Sequence, residues 1–312
     1  MTEAVSGTTP PVRPFVDDDG RPFTSVLWTH PGARGLVIHF SAFFGKWGDA
    51  KPYRGQFQGY FHRLKMLGTC PDHHWLFLCD PYGAFDNGTY YLGERGDLFV
   101  ERATRRIIDD AVRELGATAE EIVTVGSSMG GTAALKFGLD LDARGIVAIC
   151  PHIDLDISAE RQNRWDEVAF TVPDGDPVNP DNVAITRSIR RRIAEREPDR
   201  SLPRLFVQSC EDDDGVHDEQ VVPLVDQWRQ RGGVVELDQR AIGGHTSDWA
   251  TKALLLDVIG RMYRGEPATI DRYQREAPYL GQLVRPPLSH RVRQPLGRLR
   301  RRLFARSSRP QG

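Results

Sequence analysis

Short runs of apolar residues alternate with amphipathic stretches along most of this chain. Seven runs read as strands: Ser25–Trp28, Gly35–Phe40, His74–Cys79, Ile122–Val125, Gly145–Cys150, Leu205–Ser209 and Val234–Leu237. Between them, helical periods fall near Gly55–Leu67, Asp97–Leu115, Thr132–Leu139, Val221–Arg231 and Trp249–Arg264. In Asp97–Leu115 the apolar positions Phe99, Val100, Ala103, Ile107, Ala111 and Leu115 recur at the 3.6-residue spacing that gathers them on one helix face. Near-continuous apolar strands separated by helices predict an α/β fold: a doubly wound, mostly parallel sheet covered on both faces. Ligands of such sheets sit beyond the carboxyl ends of the strands.

One connection exceeds a simple crossover. From Pro151 to Arg204 there is a helical stretch at Ala184–Ala194 and a Pro/Asp/Asn-rich loop at Thr171–Asn182. Long connections in compact domains usually serve function, so residues 152–203 are expected to form a small lid insertion. Residues 1–22 are polar and rich in Pro, Gly and Asp, and are expected to lack structure.

Charge adds a feature that the pattern hides. The formal net charge of the 312 residues is −2, yet no acid follows Glu276, and nine arginines stand between Arg285 and Arg309. The stretch 265–312 therefore reads as a basic tail. A helix over Pro295–Arg306 would set Leu296, Leu299 and Leu303 among arginines, which suits peripheral contact with an anionic membrane or an acidic partner. The opening residues carry an acid and no apolar core, unlike a secretory signal, so a cytoplasmic location is expected. Cys70, Cys79, Cys150 and Cys210 lack metal-ligand spacing and read as buried thiols. No phosphate-binding loop or dinucleotide fingerprint follows a strand, and the basic residues lack aromatic interleaving. Neither a cofactor, a metal nor nucleic acid is called for.

The candidate chemistry begins at Val123-Thr124-Val125-Gly126-Ser127-Ser128-Met129-Gly130-Gly131. A β-branched run enters Gly-x-Ser-x-Gly, and a small-residue helical pattern leaves it, which describes a nucleophile elbow presenting Ser128. With 30 glycines in the chain the pentapeptide is weak on its own, and the flanking elements give it weight. A serine hydroxyl needs a base, and that base needs an orienting acid. His245, in Gly243-Gly244-His245 after the last strand-like run, is the expected base. The acid belongs in Glu211-Asp212-Asp213-Asp214 after Leu205–Ser209: Asp212 is expected, with Asp213 the alternative. The oxyanion hole should use the N–H of Met129 and one from the turn after Gly35–Phe40, at Ala42 or Phe43. Phe44, Trp47 and Tyr82 are candidates for the substrate pocket.

Over residues 23–264 the chain resembles the α/β-hydrolases, on Gly126-Ser127-Ser128-Met129-Gly130, Gly243-Gly244-His245 and Asp80-Pro81-Tyr82-Gly83. The resemblance implies Ser128 as nucleophile, His245 as base and an aspartate of the 212–214 loop as orienter. Many members carry His-Gly after the oxyanion strand. Here the chain reads His39-Phe40-Ser41-Ala42, which leaves the second oxyanion donor open. A shorter similarity, on Gly126–Gly131 through Phe137-Gly138 and on Cys150-Pro151-His152-Ile153-Asp154-Leu155, is to hydrolase-like proteins of bacterial surface-polysaccharide synthesis. The expectation is a serine hydrolase cleaving a small-molecule or glycan ester through an acyl-enzyme. The alternatives are an acyltransferase acting on a glycan or small-molecule hydroxyl, and a catalytically silent accessory protein of polysaccharide assembly.

Overall fold

The computed structural model describes residues 10–43, 61–84, 86 and 88–266. Eight strands form one sheet: β1 (Arg13–Val16), β2 (Pro22–Trp28), β3 (Leu36–Phe40), β4 (His74–Leu78), β5 (Ile122–Ser127), β6 (Gly145–Ile149), β7 (Arg204–Cys210) and β8 (Val235–Arg240). Their spatial order is β1-β2-β4-β3-β5-β6-β7-β8. The β1–β2 and β2–β4 pairs are antiparallel and the other five are parallel.

Alternation along each strand splits the core in two. Leu36, Ile38 and Phe40 of β3 join one apolar cluster with Val100, Ala103 and Ile107 of helix Phe99–Leu115 and Ala133, Ala134 and Phe137 of helix Met129–Asp140. Val37, Val123, Val125 and Val147 point to the other face, against Leu254, Leu255, Val258 and Ile259 of helix Lys252–Arg264. Both faces are thus dry, which explains why these strands read as continuous apolar runs. Helix Met129–Asp140 lies unusually close to the sheet. A Cβ at Gly138 would sit 2.6 Å from Thr124 Oγ1, whose hydroxyl donates to Ala134 O at 2.8 Å.

Two expectations give way to the structure. Residues 13–16, expected to lack structure, form β1: Phe15 packs edge-on to Phe23 at 6.2 Å, and Arg13 pairs with Glu114 at 2.5 Å. The 151–204 connection holds more helix than Ala184–Ala194. Leu155–Arg161 and Trp165–Ala169 precede it, and the predicted helix is broken into Val183–Thr186 and Ser188–Ala194. Of the helix expected at Gly55–Leu67, Leu64–Leu67 is helical, and residues 55–60 lie outside the described residues. The basic tail from residue 267 and residues 1–9 also lie outside them. Among the described residues, no helix is long and apolar enough to cross a membrane.

Candidate active site

Strand β5 ends at Ser127, and helix Met129–Asp140 starts two residues later, so the chain must reverse within Ser128. Ser128 takes φ 54° and ψ −123°, a conformation that side chains rarely adopt and that raises its hydroxyl above the strand end. Two glycines permit this. A Cβ at Gly126 would run into the Gly130 carbonyl, and one at Gly130 into the Phe40 carbonyl of β3. The same crowding brings the turn after β3 against the first turn of the helix.

Ser128 Oγ lies 2.8 Å from His245 Nε2, and His245 Nδ1 lies 2.8 Å from Asp213 Oδ2. A carboxylate only accepts, so Nδ1 carries the proton toward Asp213 and Nε2 accepts from the serine hydroxyl. Asp213 is buried, and its other oxygen accepts from Gln162 Nε2 of the insertion at 3.2 Å. The carboxylate that reaches His245 is therefore the alternative, Asp213, and not Asp212. The turn after β7 decides this: Asp213 N donates to Cys210 O, which folds Asp213 inward. Asp212 instead accepts from the N–H groups of Gly243 and Gly244 at 3.2 and 2.6 Å. It ties down the loop that carries His245.

Met129 is the first residue of its helix, so its N–H has no partner within the helix and sits at the positive end of the helix dipole. In the facing turn, Ser41 N is taken by Leu78 O at 3.1 Å and Tyr91 Oη at 2.8 Å. That leaves Ala42 and Phe43 as the remaining positions expected to supply the second donor. Phe43 has the Arg164 guanidinium of the 151–204 connection 5.0 Å above its ring, which brings that connection over this edge. Tyr82, expected in the pocket, packs elsewhere. Its hydroxyl donates to Pro22 O at 2.8 Å, and its ring lies between Phe23 and Phe99, 5.1 and 4.9 Å away. The aromatic contacts near β2 outweigh its position after β4. Phe44 and Trp47 lie outside the described residues.

Sequence reasoning did not single out two further groups around His245. Arg63 Nη1 donates to Ser127 Oγ at 2.7 Å and Nη2 approaches Ser247 O at 3.4 Å, joining the elbow to the His245 loop. His152, just after β6, stacks on His245 with centroids 4.5 Å apart and planes 4° apart. Burial holds the Cys210 thiol up at about 12 and pushes Cys150 higher still, so both stay protonated thiols.

Burial also drives His39 and His152 well below the ordinary histidine value near 6.5. Among the described residues, neither ring nitrogen of His39, in β3, has a hydrogen-bond partner. Both histidines are neutral in the folded chain and take up protons on unfolding as pH falls below 6.5. Their stabilising effect is thus complete above that pH and is lost below it. Stability should therefore fall as pH drops from 6.5 toward 5, and the lowered values of His62, His73 and His74 act in the same direction. Buried carboxyls with raised values, such as Asp80, bind protons on folding and act the other way at lower pH. Urea midpoints should fall clearly from pH 7 to 5.5, and equal midpoints would contradict this reading.

Known proteins share parts of this arrangement. A family model described as accessory Sec system GspB-transporter matches residues 39–169. That stretch holds the turn after β3, the Ser128 turn and His152, and stops before Asp213 and His245. An accessory Sec system protein of Streptococcus gordonii is 32% identical over 126 residues, 40% of this chain and 21% of the relative. One from Staphylococcus aureus is 26% identical over 148 residues, 47% of this chain and 24% of the relative. The chain thus matches less than a quarter of the length of these curated relatives. Among solved structures, the capsule O-acetyltransferase of Neisseria meningitidis serogroup A superposes with a TM-score of 0.57 at 19% identity, covering 78% of this chain and 95% of that one. The Pyrococcus horikoshii acylaminoacyl peptidase gives 0.60 at 13% identity, covering 86% and 44%. The fold is that of the α/β-hydrolases.

Proposed function

We propose that this chain is a serine hydrolase that cleaves a carboxylic ester through an acyl-enzyme on Ser128, with His245 as general base and Asp213 as its orienting acid. The observation that carries the proposal is the unbroken series of hydrogen bonds from Ser128 Oγ through His245 to Asp213, with 2.8 Å at each link. His245 Nε2 takes the hydroxyl proton as Oγ bonds to the ester carbonyl carbon. The new oxyanion accepts from Met129 N–H and from an N–H of the Ala42–Phe43 turn. Collapse breaks the bond to the leaving alkoxide, which receives the proton from His245. Water then repeats the sequence on the acyl-serine and releases the acid.

A second reading sends the acyl group to a glycan hydroxyl instead of water. The likeness to the capsule O-acetyltransferase favours it, because it spans nearly the whole of that chain. Both readings share the acyl-enzyme, so a single experiment separates them. An activated acetyl ester should give a burst of leaving group followed by steady turnover. If added amino sugars or glycans raise the steady rate and appear acetylated, transfer is the reaction; if they leave it unchanged, hydrolysis is. The absence of both burst and turnover from folded protein would contradict either reading. It would favour a silent accessory role, which the match to the accessory Sec family model supports. In that case a Ser128→Ala chain would remain functional in cells.

A further inference from the structure

His152 lies on the hydrogen-bonded series without belonging to it. It is 1% exposed, its Nδ1 lies 3.1 Å from Tyr90 Oη, and its buried Nε2 has no hydrogen-bond partner among the described residues. Burial raises the Tyr90 hydroxyl far above its ordinary range, so Tyr90 stays neutral and shares a hydrogen bond with Nδ1.

The pair is anchored from both sides. Tyr90 and Tyr91 have φ of 56° and 53°, two consecutive bulky residues in the left-handed region. Asp80 holds them there: its buried carboxylate accepts from Thr89 N at 2.5 Å, Thr89 Oγ1 at 2.9 Å, Tyr91 N at 2.8 Å and Tyr82 N at 3.3 Å. On the other side, Thr132 in the first turn of the elbow helix donates to His152 O at 2.6 Å. The elbow helix therefore holds the backbone of His152, and the Asp80 turn holds its ring through Tyr90.

His245 needs such a support. It follows Gly243 and Gly244, with φ of 146° and 62°, on a loop that glycine makes pliable. Hydrogen bonds at its two nitrogens fix the ends of the ring but let its plane rock about the line joining them. A stacked face removes that freedom. The supporting ring must also stay uncharged, because His245 becomes an imidazolium during each half-reaction and a second cation 4.5 Å away would oppose it.

We propose that His152, locked by Tyr90, is a positioning residue for His245, its neutral ring holding the imidazole in the plane that joins Ser128 to Asp213. The inference rests on the serine reading above for its kinetic consequences, although its geometry can be measured without turnover.

The test uses the full chain with His152→Ala and His152→Phe. For hydrolysis of an acetyl ester, His152→Ala should lower kcat about 10- to 100-fold, with KM changed less than about twofold. The low-field proton signal of the His245 Nδ1–H···Asp213 bond should broaden or vanish. His152→Phe keeps a flat neutral face and should restore the signal and most of kcat. Unchanged kcat and signal in His152→Ala would overturn the proposal. So would a His152→Phe variant that is folded yet as impaired as His152→Ala. If wild type shows the proton signal but no turnover or acylation, the serine reading fails, and the effect of His152 on the signal still decides this one.

Discussion

Replacing Asp213 with asparagine should lower turnover of an ester substrate by about 10⁴-fold, the loss seen when a triad histidine is held in the wrong tautomer. The asparagine side chain would present an amide N–H or a neutral oxygen to Nδ1 and could not stabilise the imidazolium. Asp212→Asn should cost less than about tenfold, because its amide oxygen can still accept from Gly244, the shorter of the two bonds, and the bond lost at Gly243 lies away from His245. The two aspartates are adjacent in sequence, half-buried and buried respectively, and only Asp213 touches His245. Steady-state rates of both variants on one ester make the comparison. Equal losses, or a larger loss at Asp212, would mean that the acid has been assigned wrongly.

Gly130→Ala should destabilise the chain by about 3 kcal/mol or more and remove activity from whatever remains folded. The added Cβ would meet the carbonyls of Phe40 and Ser41, which are backbone atoms of β3 and the turn after it. Neither can yield without separating the elbow from that turn. Gly138→Ala is the comparison: its Cβ meets the side chains of Thr124 and Ile146 and no backbone atom. Its cost should be the smaller. Urea unfolding of both variants reads the difference, and a Gly130→Ala chain as stable as wild type would refute the crowding argument.

How far the sequence reveals this molecule depends on which forces act locally. β3 to β7 are legible because each is buried along most of its length and so appears as an apolar run, whereas β8 reads VELDQR and shows only its apolar start. Ser128 and His245 are legible because a strained turn and a pliable loop both need glycine at fixed offsets. The choice between Asp212 and Asp213 is not. It depends on a single turn bond, Asp213 N to Cys210 O, with no signature in the residue types. β1 is four residues long, and its partner Phe23 is supplied by the next strand. The helices Leu155–Arg161 and Trp165–Ala169 are too short to show a period. Tyr82 and His152 both follow strands, and tertiary packing alone sends one into the core beside β2 and the other beneath His245.

Whether Ser128 is an activated nucleophile can be read by covalent labelling with a fluorophosphonate probe, with the modified residue located by peptide mass spectrometry. The expected result is one adduct on wild type, on Ser128 and not on the neighbouring Ser127, and none on Ser128→Ala or, at the same exposure, on His245→Ala. Folded wild type that takes up no probe, or a Ser128→Ala chain labelled as fast as wild type, would contradict the serine mechanism.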